Sequence, residues 1–259
     1  MKYKTKMLAD RFAKIFSQWP TVVCVALNEA ALPDTLDPYF ALILDVYHTG
    51  SIPAGGERFS FFGDDAAAFE TSSSGTKDRF LIGDIPVRIE YKAASQAEEL
   101  ASIAGAQHEK IWLIKDSGTY GFYRLANGEI LFSRNNWING IREQLKNPGD
   151  GFWRRMREAS QSRMEHFLGD LGAAFIQGDD FYYLMSSAGF IKNACLTLFS
   201  LNRTFEPSHR AYYNQVLKLK ELPESFAAQI ETFLRNDPEI TMERKYNLAQ
   251  LMARGIVAL

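Results

Sequence analysis

Residues 39–47 read YFALILDVY, nine residues with one charge near the end. Side chains alternate across an extended strand. Phe40, Leu42, Leu44 and Val46 therefore share a wholly apolar face, and Ala41, Ile43, Asp45 and Tyr47 share the other. A carboxylate in such a setting is costly to desolvate unless it is paired with a cation or binds a metal. A second strand, Pro86 to Tyr91 (PVRIEY), poses the same question. Val87, Ile89 and Tyr91 lie on one face, and Arg88, Glu90 and Lys92 on the other. If the two strands are neighbours, Asp45 and Glu90 project from the same side of one sheet.

The flanking segments suit a sheet with helices. Residues 3–18 carry Met7, Leu8, Phe12, Ile15 and Phe16 at helical spacing, and Trp19-Pro20 ends that pattern. Residues 21–27 (TVVCVAL) form an apolar, β-branched run without alternation, as in a strand buried on both faces. Residues 49–79 read as a surface excursion with its most loop-like point at Ser72–Gly75, followed by a short strand at 80–82. Ser95 and Glu98 make a capping-box pattern for a helix over 95–105. Lys110 to Ile114 is an apolar stretch. Asn127-Gly128, flanked by 120–125 and 129–132, predicts a β-hairpin, and 137–145 a helix.

Asn147 to Gly151 (NPGDG) is the clearest linker. Beyond it strand patterns give way to helical ones, at 152–176, 180–202, 208–219, 222–235 and 241–257. The expected architecture is α+β: a mixed β-sheet domain over 1–148 followed by an all-helical bundle over 149–259.

Composition narrows the function classes. The chain has 259 residues and a formal net charge of -2, so a dedicated nucleic-acid binder is disfavoured and a small-molecule substrate is the default. Cys24 and Cys195 sit in separate apolar runs and read as buried thiols, with neither a disulfide framework nor a zinc pattern. Asp10, Arg11 and Lys14 interrupt any signal-peptide core, and no uncharged apolar stretch reaches the length of a membrane span. The expected location is the cytoplasm, without membrane association. The basic run at 153–157 reads as a solvated helix face, and the Arg203…His209 spacing as a helix end and a new helix start.

Two readings of the strand carboxylates remain open on these residues. One is an ion pair of Glu90 with Arg88 or Lys92, its neighbours two positions away on the same face. The other is a Mg²⁺ site, since magnesium takes carboxylate oxygens together with substrate phosphates.

Gly83 to Ala101 (GDIPVRIEYKAASQAEELA), a strand with a central glutamate followed by an acidic helix, resembles the third-carboxylate region of kanamycin-type aminoglycoside nucleotidyltransferases. Lys115 to Tyr120 (KDSGTY) is similar to their Asp-Ser-Gly turn. Asn193 to Pro207 (NACLTLFSLNRTFEP) with Leu219 to Phe226 (LKELPESF) resembles the helical domain of that group, and of uncharacterised bacterial relatives in particular. The resemblance implies transfer of a nucleoside monophosphate from an NTP to a small-molecule hydroxyl, with Mg²⁺, at a cleft between the two halves. Carried over, Glu90 is the third carboxylate and catalytic group, Asp45 (with Asp37) a metal ligand, and Asn28, Tyr47 and Arg88 substrate-binding residues.

The family pattern is incomplete. An Asp-x-Asp/Glu pair would need a carboxylate at Ile43 or Tyr47 for Asp45, or at Tyr39 for Asp37. The Gly-Ser phosphate turn is replaced by Ala26-Leu27-Asn28-Glu29-Ala30. The alternative expectation is a protein that keeps this fold, has lost the chemistry, and binds or regulates instead.

Overall fold

The computed structural model describes residues 2–28, 42–114 and 118–259. The chain divides into two compact units, Met1–Gly105 with Phe122–Asn147, and Ala106–Gly121 with Pro148–Leu259.

The first unit is built on a six-stranded mixed sheet. Its strands are β1 (Val22–Asn28), β2 (Leu42–His48), β3 (Ala66–Thr71), β4 (Lys77–Ile82), β5 (Ile85–Ala93) and β6 (Glu129–Ser133), in the order β3-β4-β5-β2-β1-β6. Among the described residues only β2 and β5 run parallel, and their register sets Asp45 beside Glu90. The helix α1 (Lys2–Ser17) places Leu8, Phe12 and Phe16 in one core with Leu42, Leu44, Val46, Val87 and Ile89. That is the apolar face read from the alternation. Phe62, near the end of α2 (Gly55–Phe62), stacks on Phe80 with ring centroids 4.6 Å apart.

The excursion over 49–79 is therefore more ordered than a surface loop. It contributes α2, the edge strand β3 and the start of β4, and one ionic knot holds it. Arg58 and Asp78 are almost wholly buried. Arg58 donates to both Asp78 oxygens, Nε at 2.7 Å and a terminal nitrogen at 2.8 Å. It also donates to the carbonyls of Pro53 and Gly75. Asp78 accepts from Thr71 at 2.7 Å and from Tyr91 at 2.8 Å. Charges on α2 and β4 thus satisfy each other inside the fold.

The hairpin expected around Asn127-Gly128 is not formed. Tyr120–Asn127 is a helix, α4, and β6 pairs antiparallel with β1. Gly128 ends α4: its N–H donates to the Arg124 carbonyl at 3.0 Å. A Cβ at this position would lie 2.9 Å from both that carbonyl oxygen and Asn28 Oδ1. The glycine permits a close approach of helix end to strand, the other use of the residue that also makes Asn-Gly a turn signal. The remaining helices of this unit are α3 (Ala94–Ala104) and α5 (Trp137–Lys146).

The second unit is helical, with α6 (Asp150–Gln177), α7 (Asp180–Leu201), α8 (Tyr212–Val216), α9 (Phe226–Leu234) and α10 (Met242–Val257). The single helix expected over 208–219 is a 3₁₀ turn followed by the short α8. By length and composition α7 is a candidate membrane span, yet 56% of its apolar window is buried. Phe190, Ala194, Leu198 and Phe199 belong to the core that α6, α9 and α10 also build. Both cysteines are buried and free, and burial pushes each thiol up to about 12.

A single boundary at 148 omits one excursion. Ala106–Gly121, with a 3₁₀ turn at His108–Leu113, belongs to the helical unit. Thr119 Oγ1 accepts the Glu206 N–H at 2.8 Å. Gly118 has φ +68°, and a Cβ there would lie 2.5 Å from Glu206 Oε1. Glu206 is 3% exposed. Burial pushes its carboxyl above the ordinary glutamate range, against weaker opposing pulls from the Thr119 backbone N–H, the Tyr212 hydroxyl and the Lys192 charge.

The folded state therefore holds that proton more tightly than the unfolded chain does. The associated stability is present below the unfolded glutamate value and is lost as pH rises through the raised folded value. Glu206→Gln should accordingly stabilise the chain more at pH 8 than at pH 4.5 in urea denaturation. An equal effect at both pH values would refute the assignment.

Candidate functional site

Five charged side chains from three elements converge on the face of the sheet opposite α1. Asp45 is fully buried and Glu90 is 8% exposed. Between them sits Arg124 from α4, itself 5% exposed. One terminal nitrogen lies 2.8 Å from Glu90 Oε2, and the other 2.5 Å from Asp45 Oδ1. Lys92 Nζ approaches Asp45 Oδ1 at 2.9 Å and Glu90 Oε2 at 3.4 Å. Arg88 Nε stands 3.2 Å from Glu90 Oε1. The pairing of Glu90 with Arg88 and Lys92, read from the two-residue spacing, is present.

The polar neighbours are turned inward. Asn28 Nδ2 donates to Asp45 Oδ2 at 2.6 Å, and the Tyr47 hydroxyl donates to the same oxygen at 3.3 Å. Both residues are buried. Two of the three expected substrate-binding residues thus commit these donors to the carboxylate. Burial, then the adjacent Asp45 charge, pushes the Tyr47 hydroxyl well above its ordinary value. Arg88 and Lys92 have partly exposed side chains, 33% and 27% respectively. Asp37 lies outside the described residues.

Local structure explains how Arg124 arrives there. On α4, Phe122, Arg124 and Leu125 are buried. Arg142 of α5 donates to the carbonyls of Leu125 and Gly128 at the end of that helix, where orphan carbonyls favour a cation. The helix end is thus held from α5 and abuts β1 through Gly128.

Burial alone would raise the Glu90 carboxyl, but Arg124, Lys92 and Arg88 outweigh it and hold the group below its ordinary value. Glu90 is accordingly a carboxylate at neutral pH, unsuited to serve as a proton-bearing acid.

The donor set does not fit Mg²⁺ as it stands. Magnesium needs near-octahedral oxygen coordination. Here the inward lobes of both carboxylates accept from a guanidinium and an ammonium. Among the described residues no cluster of three or more His, Cys, Asp or Glu side chains could hold a metal.

The face is also cationic beyond this cluster. Arg88, Lys92 and Arg124 outnumber Asp45 and Glu90 by one charge. In the register of β4 on β5, Arg79 stands directly opposite Arg88 and Lys77 opposite Glu90. Lys77 and Arg79 are exposed. Like charges facing each other across strands destabilise a sheet; Glu70 of β3, opposite Arg79 on its other side, offsets part of that cost, and an anion laid over the cations would relieve the rest.

No protein-family model matches the chain, and no curated protein is significantly similar to it. Among solved structures, it resembles a nucleotidyltransferase-like protein from Exiguobacterium sibiricum 255-15. The likeness covers 98% of this chain and 73% of that one, at 12% identity and a TM-score of 0.50. This likeness shows a shared fold, with a mixed sheet near the N-terminus and helices after it.

Proposed function

We propose that the chain is a nucleotidyltransferase-fold protein that binds a phosphate-bearing small molecule without a divalent metal and has given up nucleotidyl transfer. The observation that carries this reading is Arg124, which bridges Asp45 and Glu90 where a catalytic cation would have to sit. A fixed guanidinium supplies positive charge without coordination chemistry. The excess cations at Arg88 and Lys92, with Lys77 and Arg79 beside them, suit the oxygens of a phosphate chain. Nothing in this arrangement polarises an attacking hydroxyl: Glu90 is locked in charge-assisted contacts and Asp45 is sealed.

The adjacency of Asp45 and Glu90 in the strand register favours a second reading, Mg²⁺-dependent transfer of a nucleoside monophosphate to a hydroxyl. It requires Arg124 to leave and Asp45 to become accessible.

One panel separates the two. Thermal unfolding is followed with ATP, GTP, CTP, UTP and inorganic pyrophosphate, each in EDTA and in Mg²⁺. A ligand at about 100 times its Kd stabilises the native state by about 2.7 kcal/mol, which is several degrees at this length. The leading reading expects that shift in EDTA, undiminished by omission of Mg²⁺, with no pyrophosphate released from any NTP. A shift seen only with Mg²⁺, together with pyrophosphate release, would establish the second reading. No shift under any condition would defeat both.

A further inference from the structure

The core helix of the second unit turns an apolar stripe outward. Phe181 is 74% exposed, Leu184 66% and Met185 55%, and Ala188 is exposed between them and the helix middle. The spacing of these four positions follows one face of a helix. Tyr183, Ser186 and Phe190 occupy the inward face. Ile176, at the end of α6 just before the Gly178 turn, is 82% exposed at the same end of the α6–α7 hairpin. Single exposed apolar residues are ordinary, whereas a contiguous stripe of large ones marks an interaction surface.

The charges that bracket the stripe say what fits it. Asp179 and Asp180 precede it and are exposed, and Lys192 follows it. We infer that this face pairs with its own copy, α7 against α7 in antiparallel fashion, forming a two-fold homodimer. An axis at the level of Ser186, midway between Asp180 and Lys192, sets each Asp180 near Lys192 of the second copy. The same register sets each Leu184 near Ala188 of the second copy, a large side chain against a small one, and brings the two Met185 side chains together at the centre. A two-fold interface requires this kind of self-complementarity.

Sedimentation equilibrium over a range of concentrations tests this on the full chain. The wild type is expected to be a dimer. Leu184→Glu and, separately, Met185→Lys should each give a monomer with unchanged circular dichroism, because both side chains project into water in the single chain. Lys192→Glu should raise the dissociation constant at least tenfold, and adding Asp180→Lys to it should restore much of the loss. A wild type that stays monomeric at tens of micromolar would overturn the inference, as would a dimer that Leu184→Glu leaves intact. A monomer that sediments with phospholipid vesicles through the same residues would overturn it in favour of a membrane surface.

Discussion

Replacing Arg124 by methionine is expected to destabilise the chain by about 3 kcal/mol or more, within the range for removing one partner from a buried ion pair. The cost does not come from losing attraction alone. Methionine fills much of the same volume, but it leaves Asp45 fully buried with Lys92 as its nearest cation. Glu90 keeps only the partly exposed Arg88 and Lys92. Arg124→Lys should fall between, since a point charge cannot span both carboxylates as the planar guanidinium does.

The pH dependence gives a sharper signature. The Glu90 carboxyl is held below its ordinary value in the fold, so its contribution is present above the unfolded glutamate value and disappears as pH falls through the lowered folded value. Removing Arg124 removes the largest of the charges that lower it, leaving burial to act in the opposite direction. The deficit of the variant relative to wild type, read from urea denaturation, should therefore be large at pH 7.5 and shrink as the pH is brought down toward 3. A deficit that is small, or constant with pH, would mean that Arg124 is not the counter-charge described above.

The second large effect is expected at Asp78. Substitution by alanine strands Arg58, which is 2% exposed, and removes the acceptor of Thr71 and Tyr91. A cost of about 3–5 kcal/mol follows from the uncompensated buried charge. Arg58→Met should be comparably damaging, because it strands Asp78. The informative variant is the double substitution Arg58→Met with Asp78→Leu. Its cost should be well below the sum of the singles, since no isolated charge remains. Additive losses in equilibrium unfolding would show that packing, and not the ion pair, holds α2 to the sheet edge.

The alternation in YFALILDVY and PVRIEY made the centre of the sheet legible: which residues face α1, and that Asp45 and Glu90 share the opposite side. Strand period carries that information without any knowledge of the partner. The edge strand β3 was not legible. Ala66–Thr71 is short and largely exposed, and its order depends on a bond from Thr71 to Asp78 that local propensity does not encode.

Arg124 was hidden by a wrong period. Read as a hairpin strand, residues 120–125 give it no destination; as a helix they put it beside Phe122 and Leu125 on a buried face. A signal existed. Two carboxylates on apolar strand positions need counter-charges, and an arginine inside the apolar run Phe122 to Leu125 was a candidate for one of them. Asn127-Gly128 outweighed it because the same dipeptide serves a turn and a helix end.

The excursion at Ala106–Gly121 gives the chain an order of events as it leaves the ribosome. Every residue of the sheet unit has been made by Asn147, and domains generally fold as units, the N-terminal one first. Gly118 and Thr119, however, belong with Glu206. At about 5–20 residues per second, Thr119 waits several seconds after it is made for that glutamate to be added. During that interval residues 106–114 and 118–119 lack the helical partners they belong with, although the sheet unit on either side is already made.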